Sequence, residues 1–572
     1  MNAETKVCQN CKKDFVIEPE DFDFYEKIKV PAPTFCFQCR TVRRLSFRNE
    51  LSLYKRKCSA PGHNEEMISA FSPEKNMVVY DNKYWWSDQW DPMDFGRDYD
   101  FSKTFFEQWR DFRNKFPFQS VSNSHNVNSD YCNVADYSKD CYLVSGGFKN
   151  EKVLYSNRAE GDKDSADLYV AHDSELCYDN VLCSDSYHVF YSLRCTNCTD
   201  SYFLYDCRNC SNCFGCSNLR SKNCYIFNQP YTKEEYSQKI KEFNLSSFSS
   251  VQNLKKEFEK IYKKSVHRYA NILKSDRSTG DNLENTKNCK SCFDIKEAEE
   301  GKYNHWGGLQ TKDFYDSGPG TGVGAELLYE TFDTGVQCSR NFFTSVVYSS
   351  RDVYYSFNCY DCSDLFGCIG LRSKQSCIFN KQYSKEEYKA LKDKIIEHMN
   401  SMPYVDKKGL VYKFGEFFPA ELSPFAYNET VAQDYFPLNR DQAIKEGYNW
   451  RDAENKNYKI TINAEDLPDD IKDVDDSISN EIIGCAHHGK CNDVCSAAFR
   501  IISQEFQFYK KLGIPLPRYC FGCRHAARLR LRNPMKLWDR QCAKCGREIK
   551  TSYAPDRPEI VYCESCYNQE VA

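Results

Sequence analysis

The sequence predicts a mainly β protein: a repetitive, parallel β-solenoid-like core flanked by zinc ribbons, with helical insertions. Three observations carry this. Cys11, Cys36, Cys39 and Cys58 recur at Cys495, Cys520, Cys523 and Cys542, all displaced by 484 positions. Phe15, Phe24, Tyr25, Arg40, Arg44, Arg48 and Asn49 recur at the same offset. Inside this bracket, Asp200–Tyr236 aligns without gaps on Asp352–Tyr388, with 20 identities in 37 positions. Around both copies lie short strand-like pieces, such as Tyr187-His-Val-Phe and Tyr202-Phe-Leu-Tyr, separated by polar corners at a spacing near 12. Stacking identical short strands buries a continuous core and needs such self-similarity. A β-sandwich does not.

In order along the chain, residues 1–60 read as an N-terminal zinc ribbon and 61–118 as a degenerate second ribbon with an aromatic cap. That cap holds Trp85, Trp86, Trp90 and Trp109 among Asp88, Asp91, Asp94 and Asp98, a solvated rim over a solenoid end. Residues 119–230 form the first solenoid half, 231–283 a helical insertion and 284–383 the second half. Each half closes on Tyr-[Thr/Ser]-Lys-Glu-Glu-Tyr, where Thr232 with Glu235 and Ser384 with Glu387 make capping boxes. Residues 384–454 are a helix and aromatic segment, 455–480 an acidic linker, and 481–572 a double zinc ribbon.

Composition narrows the class. A net charge of -5 gives no global polyanion-binding signature. The 32 cysteines fall largely into C-x2-C pairs, thiolate-ligand spacing, in a chain too long to need a disulfide scaffold. Met1–Val7 is polar, without the apolar stretch of a signal peptide, and no run approaches the ~18 apolar residues of a membrane span. The expectation is a cytoplasmic protein with reduced thiols and no membrane partner.

Two C-x2-C knuckles bring four thiolates to one zinc. Cys542, Cys545, Cys563 and Cys566 form the clearest set, and Cys8, Cys11, Cys36 and Cys39 a second. The third holds Cys495, Cys520 and Cys523, with Cys491 favoured as fourth ligand and Cys485 as rival. About three structural Zn²⁺ follow. The N-terminal counterpart of the last ribbon has decayed: Cys58 survives, but Pro61, Asp81 and Tyr84 stand in the remaining ligand positions, and Cys58 with His63 reads as a relic.

Cys207, Cys210, Cys213 and Cys216 form C-x2-C-x2-C-x2-C, which invites an iron–sulfur reading. The second copy has Leu365 at the third position, which fits an inward apolar slot, since free cysteine packs as a small hydrophobe. Metal and redox pairs are the alternatives, and Cys289-x2-Cys292 belongs with this group. Arg40, Arg43, Arg44 and Arg48, then Arg524, Arg528, Arg530 and Arg532, follow the second knuckles and offer nucleic-acid contacts. The other reading packs them against local carboxylates. Ser317–Gly324 is glycine-rich but lacks the Gly-Lys-[Ser/Thr] of a P-loop, and reads as a flexible solenoid turn.

Phe35-Cys-Phe-Gln-Cys-Arg, Tyr84-Trp-Trp-Ser-Asp-Gln-Trp-Asp-Pro, Phe214-Gly-Cys with Leu219-Arg-Ser-Lys, and Tyr553-Ala-Pro-Asp-Arg-Pro-Glu-Ile-Val-Tyr-Cys together resemble uncharacterised cysteine-rich zinc-ribbon proteins of candidate-phyla bacteria. The resemblance spans nearly the whole chain. It implies zinc ribbons around a cysteine- and tyrosine-rich repeat, with no established activity. This chain departs from the pattern at Asp81 and Tyr84, where cysteines are expected. The functional expectation is a non-enzymatic, zinc-binding scaffold or interaction protein with a protein partner. The alternatives are a nucleic-acid-binding factor, an enzyme on the solenoid face, and an iron–sulfur protein.

Overall fold

The computed structural model describes residues 2–452, 458–491, 493 and 495–571. It is strand-rich, with parallel sheets, and the strands pair at a fixed interval. Asn157 pairs with Ser145 on one side and Tyr169 on the other, and Tyr169 pairs with Val181, so each step is twelve residues. The same step links Tyr187, Thr199, Ser211 and Asn223. In the second half it links Ser339, Arg351, Ser363 and Gln375. The step lengthens from Lys312 to Glu326 to Ser339, where the glycine-rich turn is inserted.

Two regularities with a period of three explain the residue choice. Every third residue from His125 to Phe227 has a positive φ. That conformation suits Asn, Asp and Gly but costs other residues roughly 1–2 kcal/mol each, and Val134, Leu143 and Val170 also adopt it. Ladder bonds offset the cost: Leu143 N donates to Asp130 O at 3.1 Å and Tyr155 N to Tyr142 O at 2.9 Å. The next residue of each triplet, from Cys132 to Cys216, is buried without exception.

These inward positions are mostly small, and many are Ser or Cys, because an inward backbone N–H needs an acceptor. Ser156 Oγ donates to Leu154 O at 2.8 Å and accepts from Leu168 N, twelve residues on, at 3.0 Å. Ser174, Ser186, Ser192 and Ser201 repeat both bonds.

Among the described residues, nine helices of seven or more residues frame the sites: α1 (Pro19–Ile28), α2 (Phe37–Leu45), α3 (Phe105–Lys115), α4 (Lys233–Glu242), α5 (Phe248–Lys264), α6 (Lys385–Ser401), α7 (Ser503–Leu512), α8 (Phe521–Leu529) and α9 (Glu564–Glu570). The expected capping boxes form at α4 and α6. Phe243, at the end of α4, stacks on Phe214 at 4.2 Å, covering the last strands of the first half. Phe105 and Phe112 of α3 pack on Phe366 and Phe379, and Trp85 lies against Tyr360, covering the second half. Asp88, Asp91, Asp94 and Asp98 are exposed around this cap.

The terminal modules cross over. α1 sits on the second half, where Phe24 stacks on Tyr315 at 3.9 Å. α7 sits on the first, where Tyr509 meets Tyr178 at 5.8 Å. The acidic segment is packed: Leu467, Ile471, Val474 and Ile478 are buried in one cluster with Phe506 and Tyr509. Its first residues, 455–457, lie outside the described residues. No described helix is long and apolar enough to cross a membrane.

Candidate metal centres

Three cysteine tetrads bring all four sulfurs within 4.8 Å of one another. Sulfurs bound 2.3 Å from one tetrahedral zinc lie about 3.8 Å apart, whereas a disulfide holds them about 2.05 Å apart. The observed separations are 3.7 Å for Cys11 to Cys36, 3.8 Å for Cys495 to Cys520, 3.9 Å for Cys485 to Cys523 and 3.7 Å for Cys545 to Cys563. They match edges of a tetrahedron.

Local structure places each ligand. Strand Glu4–Val7 pairs with Asp14–Ile17 and delivers Cys8 and Cys11 on the connecting turn. Cys36 is the N-cap of α2, and Cys39 lies in its first turn, where the helix dipole favours thiolate. Cys520 and Cys563 cap α8 and α9 in the same way. In each tetrad the second knuckle's amide donates to the first knuckle's sulfur: Cys36 N to Cys8 at 3.2 Å, Cys520 N to Cys485 at 3.4 Å and Cys563 N to Cys542 at 3.3 Å. Burial raises the Cys542 thiol, yet the amides of Cys563, Cys545 and Lys544 bring it down to about 6. Crowding splits the N-terminal tetrad. Hydrogen bonds from Cys36 and Cys39 lower Cys8, while hydrogen bonds with Cys36 and Cys8 raise Cys39. The tetrads fit a structural dication.

One ligand expectation is corrected. Cys485, not Cys491, joins Cys495, Cys520 and Cys523. The strand register gives the reason. Gly484 pairs with Ala498 and Ile483 with Phe499, as Val7 pairs with Asp14 and Lys6 with Phe15. Cys485 therefore follows its strand as Cys8 does, and extra loop residues separate it from Cys495. Cys491 lies on that longer loop, 3.5 Å from Cys523, in a second group with His487 and Asp493 that shares Cys523 with the tetrad. The apolar pair Ile482-Ile483 before Cys485 was the available sequence signal.

Of the two readings of the arginines, the structure shows packing against carboxylates for seven of the eight. No more than a tenth of the side chain of Arg40, Arg43, Arg44, Arg48, Arg524, Arg528 or Arg532 is exposed. Arg40 Nη2 lies 2.6 Å and Arg44 Nη1 3.3 Å from Asp316, a buried aspartate in the left-handed conformation. Arg524 and Arg528 converge on Asp167 in the same way, at 2.5 and 2.7 Å. A second acid one step along, Glu330 or Asp179, meets Arg44 or Arg528. Arg43 reaches Glu330 and Glu416, Arg48 reaches Asp333 and Glu50, and Arg532 pairs with Asp294. Only Arg530 of the eight is exposed, beside Asp493. Spacing of four on one helix turn aims two guanidinium groups at one carboxylate, so the repeated arginines mate the terminal modules with the strands.

The middle cysteines occupy inward positions. Cys207, Cys210, Cys213 and Cys216 are buried, and their thiols donate to the carbonyls of Tyr205, Arg208, Ser211 and Phe214 at 3.3–3.5 Å. C-x2-C spacing here is the triplet period. Leu365 is buried in the corresponding slot of the second half, and Cys289 and Cys292 are buried with it. In the glycine-rich turn, a Cβ at Gly318 would meet His305 O at 1.9 Å, so close backbone approach demands glycine. Gly320 N and Gly324 N donate to Trp306 O and Leu309 O, which ties the turn to the neighbouring strand.

Cys58 and His63, read from the sequence as a relic, form a group with Asp81, and the ligand atoms of the three lie within 4.8 Å of one another. No protein-family model matches the chain. No curated protein matches it either.

Proposed function

We propose that the chain is a non-enzymatic, zinc-binding scaffold or interaction protein of the cytoplasm. In this reading the twelve-residue steps, with a turn at every third residue, stack into a four-sided β-solenoid. The three tetrads hold zinc, and the modules they brace clamp the two halves through buried arginine–carboxylate pairs. The observation that carries it is the gathering of twelve cysteine sulfurs in three sets of four, the sulfurs of each set within 4.8 Å of one another. A tetrathiolate site is closed and leaves no coordination position for chemistry, which favours a structural role.

A protein is the partner that best suits the exposed strand faces. Val127, Tyr137 and Phe148 are exposed on the first half, with Tyr137 stacked on His125 at 4.4 Å. Nucleic acid is disfavoured, because the arginines are committed within the fold. The test is limited proteolysis of the metal-loaded chain before and after a strong chelator. Early cuts within residues 1–50 and 483–571, with residues 119–383 resistant, support the reading. Identical cleavage with and without metal overturns it.

A further inference from the structure

We infer that Cys58, His63 and Asp81 form a fourth metal site, with three protein ligands and one position open to solvent. The frame around them is that of the C-terminal four-cysteine ribbon. Hairpin Tyr54–Lys57 with Glu66–Ser69 matches Trp538–Gln541 with Glu548–Thr551, and each leads into its first ligand position, Cys58 or Cys542. Ser59 N donates to Val79 O at 2.8 Å as Ala543 N donates to Val561 O at 2.9 Å. Asp81 N donates to Cys58 Sγ at 3.3 Å, the same bond that Cys563 N makes to Cys542 Sγ. Asp81 is therefore the equivalent of Cys563, and like it caps a helix, Asn82–Trp85.

The ligand atoms are set for a metal. Asp81 Oδ1 is occupied by its cap, accepting from Tyr84 N at 3.0 Å. Oδ2 is left to face the other two ligands, 3.4 Å from Cys58 Sγ and 3.4 Å from His63 Nδ1. On a tetrahedron with zinc distances of about 2.3, 2.1 and 2.0 Å to sulfur, nitrogen and oxygen, the oxygen sits about 3.5 Å from the sulfur and about 3.3 Å from the nitrogen. His63 comes from a longer loop and supplies the ligand that Cys545 supplies in the other copy. Tyr84 stands at the position of Cys566, its ring edge-on to His63 at 4.8 Å.

The site differs from the tetrads in ligand number and hardness. Cys58 is buried, but the side chains of His63 and Asp81 are 31% and 28% exposed. A mixed S/N/O set suits Zn²⁺ or Co²⁺ and leaves the fourth position to water or an incoming ligand. Metal bound there exchanges faster than metal in a closed tetrad.

The test counts metal in the full chain, using zinc alone as the probe. Wild type is expected to hold four zinc per chain, one of them removed by a weak chelator while three remain. His63→Ala and Cys58→Ser are each expected to hold three, all resistant, with unchanged circular dichroism. Co²⁺ loaded into the labile site of wild type gives a single-thiolate charge-transfer band that Cys58→Ser abolishes. Three zinc in wild type, or four that survive His63→Ala, overturns the inference without touching the tetrads. If Cys58→Ser misfolds, His63→Ala alone decides, because its side chain is partly exposed.

Discussion

Asp162 is a carboxylate where the stack calls for an amide. It occupies an inward position, is fully buried, and accepts from Ser174 N through Oδ1 at 2.8 Å, while Oδ2 has no partner. Two asparagines at inward positions show what the slot accepts: Asn150 Nδ2 donates to Ala159 O and Asn180 Nδ2 to Val189 O, each nine residues on and at 2.7 Å. Burial raises the Asp162 carboxyl from 3.8 to about 7. The folded state thus binds the proton more tightly than the unfolded chain. That contribution to stability is whole below about pH 4 and is lost as pH rises through about 7. A rise of that size, at about 1.4 kcal/mol per pH unit, gives a penalty of up to roughly 4 kcal/mol at pH 8. Asp162→Asn restores a donor and removes the charge. It is expected to stabilise the metal-loaded chain by about 2–4 kcal/mol at pH 8 and by less than about 0.5 kcal/mol at pH 4. Urea denaturation followed by circular dichroism at both pH values measures this. Equal effects at pH 4 and pH 8, or destabilisation at pH 8, refute the inward-stack reasoning.

Asp316→Asn strips Arg40 and Arg44 of their shared carboxylate and is expected to cost about 3–5 kcal/mol, as removal of one partner of a buried pair does. Asp167→Asn should match it in the other half, while Asp352→Asn, at an exposed pair with Arg340, should change stability by less than about 1 kcal/mol; denaturant midpoints compare the three. Cys485→Ser is expected to lose one tightly held zinc and Cys491→Ser none, measured by elemental analysis. Cys213→Leu, which copies Leu365, should fold with the wild-type circular dichroism spectrum and a melting temperature within a few degrees.

Much of this was legible in sequence where one residue type meets one geometric need. The capping boxes at Thr232 and Ser384 and the knuckles at Cys8 and Cys542 fall in this group. So does the twelve-residue step, because each rung repeats the same side-chain requirement on the last. Sequence reading left alternatives open where two geometries share a spacing. C-x2-C is both a zinc knuckle and two neighbouring inward positions of a triplet, and Leu365 at the position matching Cys213 is the sequence signal that sets Cys207–Cys216 apart from Cys36–Cys39. Arg40 and Arg44 look like a phosphate strip until Asp316, 276 and 272 residues away, is placed between them. The choice of Cys485 over Cys491, and the approach of Asp81 to Cys58 and His63, were obscured by loop insertions, which break fixed offsets but leave strand register intact.

The proposed role of the three tetrads is to hold zinc and so brace the ends of this chain. The direct measurement is elemental analysis with acid-labile sulfide determination, on protein purified without oxygen or added metal and dialysed against a weak chelator. The account predicts three zinc per chain with negligible iron and sulfide. Iron with stoichiometric sulfide, or fewer than three zinc in a folded chain, would contradict it.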